Sequence, residues 1–164
     1  MNNTETMEEQ VFVKLKEKQL KITTAESCTG GLLSARLINV PGISTYLKEA
    51  YITYCDEAKH RLLGVRNETL KTYTAVSEQT AREMAEGGAG AASADICLSV
   101  TGIAGPDGEG EAFPAGLVYI GCFYCETTTV LRRIFSGSRQ EVREQAVETA
   151  LQLLLEIMNK EDKT

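Results

Sequence analysis

Within Thr24-Ala25-Glu26-Ser27-Cys28-Thr29-Gly30-Gly31, two hydroxyls, a thiol and two glycines follow one another from Ser27 to Gly31. The stretch comes after Leu20 to Thr24, which has the character of a buried strand. It precedes a helical pattern carried by Leu32, Leu33, Ala35, Leu37 and Ile38. A strand-to-helix turn of this make-up offers two kinds of chemistry. Ser27, Cys28 or Thr29 could act as a nucleophile. Alternatively, the glycines let backbone approach a ligand, and the N–H groups opening the helix favour an anion, phosphate above all. The plainer role for Ser27 or Thr29 is to cap the helix.

A second loop echoes the first. Ile96 to Val100 reads as a short apolar strand and runs into Thr101-Gly102-Ile103-Ala104-Gly105-Pro106-Asp107-Gly108. Here too a hydroxyl and glycines stand at the carboxyl end of a strand, the edge where α/β sheets bind ligands. The plainer reading is a pair of ordinary glycine turns.

A nucleophile needs a base. The single histidine, His60, stands in Lys59-His60-Arg61, a cluster with the look of a solvated helix face. A Ser-His-Asp triad would have to use it. Cys28 beside a helix start could be an activated thiol, but no second histidine is present to partner it. Serine can instead use lysine, provided the lysine is held neutral, with its pKa brought down to roughly 7–8 by burial or neighbouring positive charge. Lys59, just after the apolar strand ending at Tyr54, is the candidate; the competing reading is a surface lysine.

The elements that must position these groups follow from periodicity. Val11, Phe12, Leu15 and Leu20 indicate a first helix ending near Gln19. Tyr51 to Tyr54 reads as a strand, rich in β-branched and aromatic residues. Helices are expected from Leu32 to about Asn39, broken by Pro41-Gly42; from Glu57 to Leu63, stopped by Gly64; and from Ser77 to about Ala92. Thr101 to Phe113 is a long loop of the kind that often carries function. Gly116 to Cys125 and Thr127 to Phe135 form two strands of an antiparallel hairpin. A long closing helix then buries Val142, Ala146, Val147, Ala150, Leu151, Leu154, Leu155 and Met158. This order predicts one domain over residues 1–164, an α/β/α layered sandwich with a mixed sheet, a C-terminal hairpin and a closing helix; residues 1–8 and 160–164 are expected to fray.

Composition narrows the function classes. The 164 residues are 43% hydrophobic, with a net charge of −6. No Lys/Arg stripe supplies the basic face of a nucleic-acid binder, so no nucleic-acid partner is expected. No apolar run is long enough to span a membrane, and Met1 to Gln10 is too polar and acidic for a signal peptide. The five cysteines, with no secretion signal, indicate reduced thiols and a cytoplasmic protein. Cys122-Phe123-Tyr124-Cys125 has redox spacing but lies in a strand pattern, away from the helix start that stabilises a thiolate. No Cys/His spacing resembles a zinc site.

The chain resembles the CinA C-terminal domain family, in its stand-alone nicotinamide-nucleotide amidase form. The matching motifs are Thr24–Gly31, Pro41-Gly42-Ile43-Ser44, Thr53-Tyr54-Cys55-Asp56-Glu57-Ala58-Lys59, Gly64-Val65, Ala75-Val76-Ser77, Thr101–Gly108 and Phe135-Ser136-Gly137-Ser138-Arg139. They stand in the family's order and span Val11 to Leu155. The resemblance implies a serine amidohydrolase that converts nicotinamide mononucleotide to nicotinate mononucleotide and ammonia, without metal or cofactor. It implies Ser44 as nucleophile, Lys59 as general base and Tyr54 as the tyrosine holding the pair in register. Ser27, Thr29, Gly30, Gly31, Thr101, Gly102, Gly105 and Arg139 are then the substrate-binding residues, Arg139 pairing with phosphate. The expected partner is a small nucleotide; the protein is expected to be a homo-oligomer without membrane contact and to lack the large N-terminal domain of longer CinA proteins.

Two departures stand out. Cys55-Asp56 replaces the family's usual Ser-Asn, and Phe113-Pro114-Ala115-Gly116 replaces Lys-Pro-Val-Gly. Asp56, if close, would raise the pKa of Lys59 and oppose base catalysis. The alternatives are a catalytically silent nucleotide- or phosphate-binding module of the same fold and a thiol redox protein using Cys122 and Cys125.

Overall fold

A computed structural model describes residues 5–164. Twelve elements follow in order: α1 (Met7–Lys18), β1 (Ile22–Glu26), α2 (Leu32–Ile38), a 3-10 turn (Ile43–Thr45), β2 (Tyr51–Ile52), α3 (Asp56–Leu63), α4 (Asn67–Tyr73), α5 (Glu78–Ala92), β3 (Ile96–Gly102), β4 (Leu117–Tyr124), β5 (Thr127–Ile134) and α6 (Arg139–Glu161). One five-stranded sheet has the order β2-β1-β3-β4-β5. β1 pairs parallel with β2 and β3; β4 and β5 add antiparallel. This is the expected α/β/α sandwich with a mixed sheet, hairpin and closing helix.

The burial patterns explain the layering. All five residues of β1 are buried, because helices cover both faces of this central strand. Edge strand β5 is largely exposed. On one face α1, α2 and α6 pack Leu15, Leu33, Leu37, Val147 and Leu151 against Ile22, Leu98 and Ile120. On the other, Leu63, Leu70 and Met84 from α3, α4 and α5 meet Ala25 and Cys97. α5 approaches closely because its contact residues are small: a Cβ added at Gly87 would sit 1.7 Å from the Leu63 carbonyl oxygen.

The two crossovers run on opposite faces. The chain from β1 to β2 passes through α2, whose buried residues join the α1/α6 core; the chain from β2 to β3 passes through α3, α4 and α5. Strand order therefore reverses between β1 and β3. Open α/β sheets place their ligand crevice beyond the carboxyl ends of the strands at such a reversal. Both polar loops, after Glu26 and after Val100, fall there.

Several boundaries differ from expectation. β1 starts later, at Ile22, and continues through Glu26. β2 has two residues, although Thr53 N–H still donates to the Glu26 carbonyl. α4 has no counterpart in the sequence reading, because only Thr69 and Leu70 of it are buried and its apolar period is weak. Thr6 caps α1 through a reciprocal pair with Glu9, so order begins inside the segment expected to fray; residues 1–4 of that segment lie outside the described residues. At the other end α6 runs to Glu161, where Lys14 and Lys18 form ion pairs with Asp162. Among the described residues no helix is long and apolar enough to cross a membrane.

Candidate functional site

Lys59 is among the bulkiest fully buried side chains of the protein, at 1% exposure. It lies one turn into α3, and helical side chains lean toward the helix N-terminus. Its ammonium stem therefore points back to the carboxyl edge of the sheet. There Nζ donates to the Thr53 carbonyl at 2.8 Å and lies 3.0 Å from Ser27 Oγ. Among the described residues no carboxylate is within salt-bridge distance of Lys59. Burial lowers the Lys59 pKa, and the charge of Asp56 pulls the other way without reversing the shift. A lysine held toward the neutral form beside a serine hydroxyl is the arrangement a Ser/Lys nucleophile requires.

Ser27 reaches that position because β1 ends one residue before it. Its N–H still donates to the Val100 carbonyl of β3, which ties the turn to the neighbouring strand. Thr24-to-Gly31 chemistry thus divides by side-chain direction. Ser27 and Cys28 line a cavity of about 310 Å³, whereas Thr29, Gly30 and Gly31 do not. Thr29 is fully buried. Gly31, at φ +99°, supplies the left-handed residue that starts α2. Thr29, Gly30 and Gly31, expected as substrate contacts, thus stand outside the cavity lining, where they shape the turn.

The anion-binding expectation for this helix start is also corrected. Glu26, fully buried, turns its carboxylate onto α2 and accepts from the N–H groups of Leu33 and Ser34 at 2.9 and 3.0 Å. The helix N-terminus is already occupied by a side-chain anion. Neither Ser27 nor Thr29 serves as its cap.

Ser44 does not meet Lys59. It is exposed on the 3-10 turn after α2 and lines a separate depression with Ile38, Leu47 and Lys48. The neighbouring residues Tyr46 and Leu47 pair with Ile22, the first residue of β1. Ser44 is thus at the amino end of the sheet. Ser27 is five residues further along from Ile22, roughly 16 Å away at about 3.3 Å per strand residue. The pairing of Ser44 with Lys59 is corrected to Ser27 with Lys59.

The remaining walls come from three loops. Tyr54 stands at the rim, 63% exposed, and its hydroxyl accepts from the Arg139 guanidinium at 3.0 Å. Arg139 also donates to the Gly105 carbonyl at 2.7 Å. Gly102 and Gly105 line the cavity. Thr101 lines it too, but its hydroxyl donates to the Ala75 carbonyl at 2.7 Å and holds the loop before α5 in place. Asp56, Asp107 and Glu109 add carboxylates to the wall.

The thiols do not compete. Burial pushes Cys28 up to about 11. Cys122 is fully buried in β4 and raised to about 12 by the same cause, while Cys125 sits exposed in the hairpin turn. His60 spends Nδ1 on the Val65 carbonyl at 2.7 Å.

Sequence reasoning missed two contributors. Glu26 was discoverable as the acidic residue closing an apolar strand. Arg143 was discoverable as the residue one helical turn beyond Arg139. It donates from Nε to the Cys28 carbonyl and from a terminal nitrogen to the Thr29 carbonyl, at 3.0 and 2.8 Å.

Fold and site together define a layered α/β protein with a buried lysine–serine pair in its switch-point crevice. The chain belongs to the CinA C-terminal domain family, whose model matches residues 4–158. A Clostridium beijerinckii relative named for competence-damage inducibility is 49% identical over 154 residues, and one from Alkaliphilus metalliredigens is 53% identical over 149. These matches cover 94% and 91% of this chain but 38% and 36% of the relatives, so the chain spans little more than a third of their length. Among solved structures, competence damage-inducible protein A from Klebsiella pneumoniae superimposes with a TM-score of 0.91 at 38% identity, covering 96% of this chain and 98% of that one. A CinA superfamily protein from Escherichia coli gives 0.89 at 34% identity, covering 96% and 93%.

Proposed function

We propose that this protein is an amidohydrolase that cleaves the carboxamide of nicotinamide mononucleotide through a Ser27/Lys59 pair. The observation that carries the reading is the 3.0 Å approach of a buried, carboxylate-free lysine Nζ to Ser27 Oγ at the base of the cavity. Neutral Lys59 takes the Ser27 proton as Oγ attacks the carboxamide carbon. The C–N bond then breaks, and the same proton leaves with ammonia. Water, deprotonated by Lys59, hydrolyses the acyl-serine and restores the hydroxyl, leaving nicotinate mononucleotide. The Cys28 backbone N–H, on the one residue of the turn after Ser27 that lines the cavity, is a suitable donor to the developing oxyanion.

Substrate contacts fall to the groups that line the cavity. Arg139 uses one N–H on Gly105 and one on Tyr54, and its remaining donors suit a phosphate. Gly102 and Gly105 allow close approach of ribose. Asp56 opposes the neutral lysine, which favours the silent-module reading, but burial outweighs it.

Ammonia release from nicotinamide mononucleotide tests the proposal. Ser27→Ala and Lys59→Ala should each abolish turnover with the fold intact by circular dichroism. Near-normal turnover in Ser27→Ala would overturn the nucleophile assignment. Tight nucleotide binding without ammonia in the wild type would instead establish the silent module.

A further inference from the structure

We infer that Arg143 is a positioning residue that sets the geometry of the Ser27 turn, and that the first two turns of α6 act as one strut for all three loops of the site. The inference rests on the assignment of Ser27 as nucleophile. Two successive peptide carbonyls, Cys28 and Thr29, point at one guanidinium and accept from Nε and a terminal nitrogen at 3.0 and 2.8 Å. A planar fork spanning two carbonyls fixes the orientation of both peptide planes, which a single point charge cannot do. Those planes lie immediately after Ser27 and carry the N–H groups of Thr29 and Gly30. The Gly30 N–H closes the turn onto the Ser27 carbonyl at 3.0 Å.

The rest of α6 supports this reading. Arg139 and Arg143 stand one helical turn apart, an arrangement of like charges that disfavours a helix. Among the described residues neither forms an ion pair with a carboxylate. Each instead ties down loop groups: Arg139 the Gly105 carbonyl and the Tyr54 hydroxyl, Arg143 the turn after β1. One helix end therefore reaches the β1–α2, β2–α3 and β3–β4 connections. A Ser138/Glu141 capping box pins that end. Gly30 has the space this needs, since a Cβ there would lie 3.7 Å from the Arg143 terminal nitrogen at a φ of +56°.

Arg143→Ala and Arg143→Lys test the inference in the full chain by two independent readouts. Amide hydrogen exchange should accelerate at Gly30 and Leu32 in both variants, while β3 and β4 amides keep wild-type protection. In steady-state ammonia release, kcat should fall on the order of 100-fold, the effect of displacing a reacting group by about 1 Å, with KM little changed. The pH at which activity rises should stay put, because Lys59 is untouched. Added guanidinium ion should restore part of kcat in Arg143→Ala but not in Arg143→Lys, where the lysine fills the space. Unchanged exchange at Gly30 and Leu32 would overturn the inference whatever the activity. Raised KM with unchanged kcat would also overturn it, making Arg143 a substrate contact. Faster turn exchange in a protein that shows no amidase activity even as wild type would sink the proposed function and leave the clamp supported.

Discussion

Ser27 and Ser44 flank the same helix, α2, and differ in almost every property that matters to catalysis. Ser27 follows a fully buried central strand, is 9% exposed and sits beside a buried lysine. Ser44 is exposed on a 3-10 turn at the opposite end of the sheet, among Ile38, Leu47 and Lys48. Both belong to motifs the family shares, and the resemblance implied Ser44 as the nucleophile and Ser27 as a substrate contact. The difference teaches that a hydroxyl becomes a nucleophile through its neighbours: a desolvated base within hydrogen-bond reach, and a backbone turn rigid enough to hold it there.

The sharpest way to break this comparison is the pair Ser27→Ala and Ser44→Ala. Ser27→Ala should lower kcat for ammonia release by on the order of 10⁴-fold or more, the loss typical of removing a nucleophile that acts with its base. Ser44→Ala should stay within about twofold, as expected of an exposed hydroxyl with no partner in the chemistry. The reverse pattern would return the nucleophile to Ser44. Arg139→Lys comes next. Replacing a charge-assisted fork by a point charge removes about 1.5–3 kcal/mol of binding, so KM should rise on the order of 10- to 100-fold with a smaller change in kcat.

The base can be probed by pH. With Lys59 as the proposed base, kcat/KM should climb with pH and level off below the ordinary lysine value of about 10.4. Asp56→Asn removes the charge that raises the Lys59 pKa and should move that rise to lower pH. An unmoved profile would place Asp56 outside the electrostatics of the site. Stability has the corresponding sign. The folded-state pKa of Lys59 is depressed, so burying its charge costs stability below that pKa, and the cost disappears as pH rises toward the unfolded value. In urea titrations the wild type should therefore gain on Lys59→Met between neutral pH and about 10.4, by at most about 1.4 kcal/mol per pH unit. The smallest effect belongs to Cys125→Ser, which should leave turnover unchanged, because its thiol lies in the hairpin turn at the far end of β4 from the cavity.

Much of the architecture was legible from pattern. The alternation of apolar strands with amphipathic helices predicted the layers, and the hairpin and closing helix fell where Leu117–Ile134 and Val142–Met158 are found. The polar turn after β1 and the glycine loop after β3 were correctly located at strand carboxyl ends. α4 escaped because a seven-residue helix with two buried positions carries almost no periodicity. What pattern did not show is that Glu26 swings its carboxylate onto the N–H groups of Leu33 and Ser34, so that the helix start is already occupied.

The sequence by itself determined the inventory: most of the elements that form, which turns carry hydroxyls, and that Lys59 is the lysine following an apolar strand. It did not determine which serine that lysine meets. Lys59 is 32 residues from Ser27 in sequence and closer to Ser44 along the chain. Parallel pairing of Glu26 with Ile52 brings the ends of β1 and β2 together, whereas the crossover through α2 carries Ser44 to the other end of the sheet. Burial by α3 then supplies the desolvation that Lys59 needs. Strand register and helix packing are long-range properties, and the choice between the two serines depends on both.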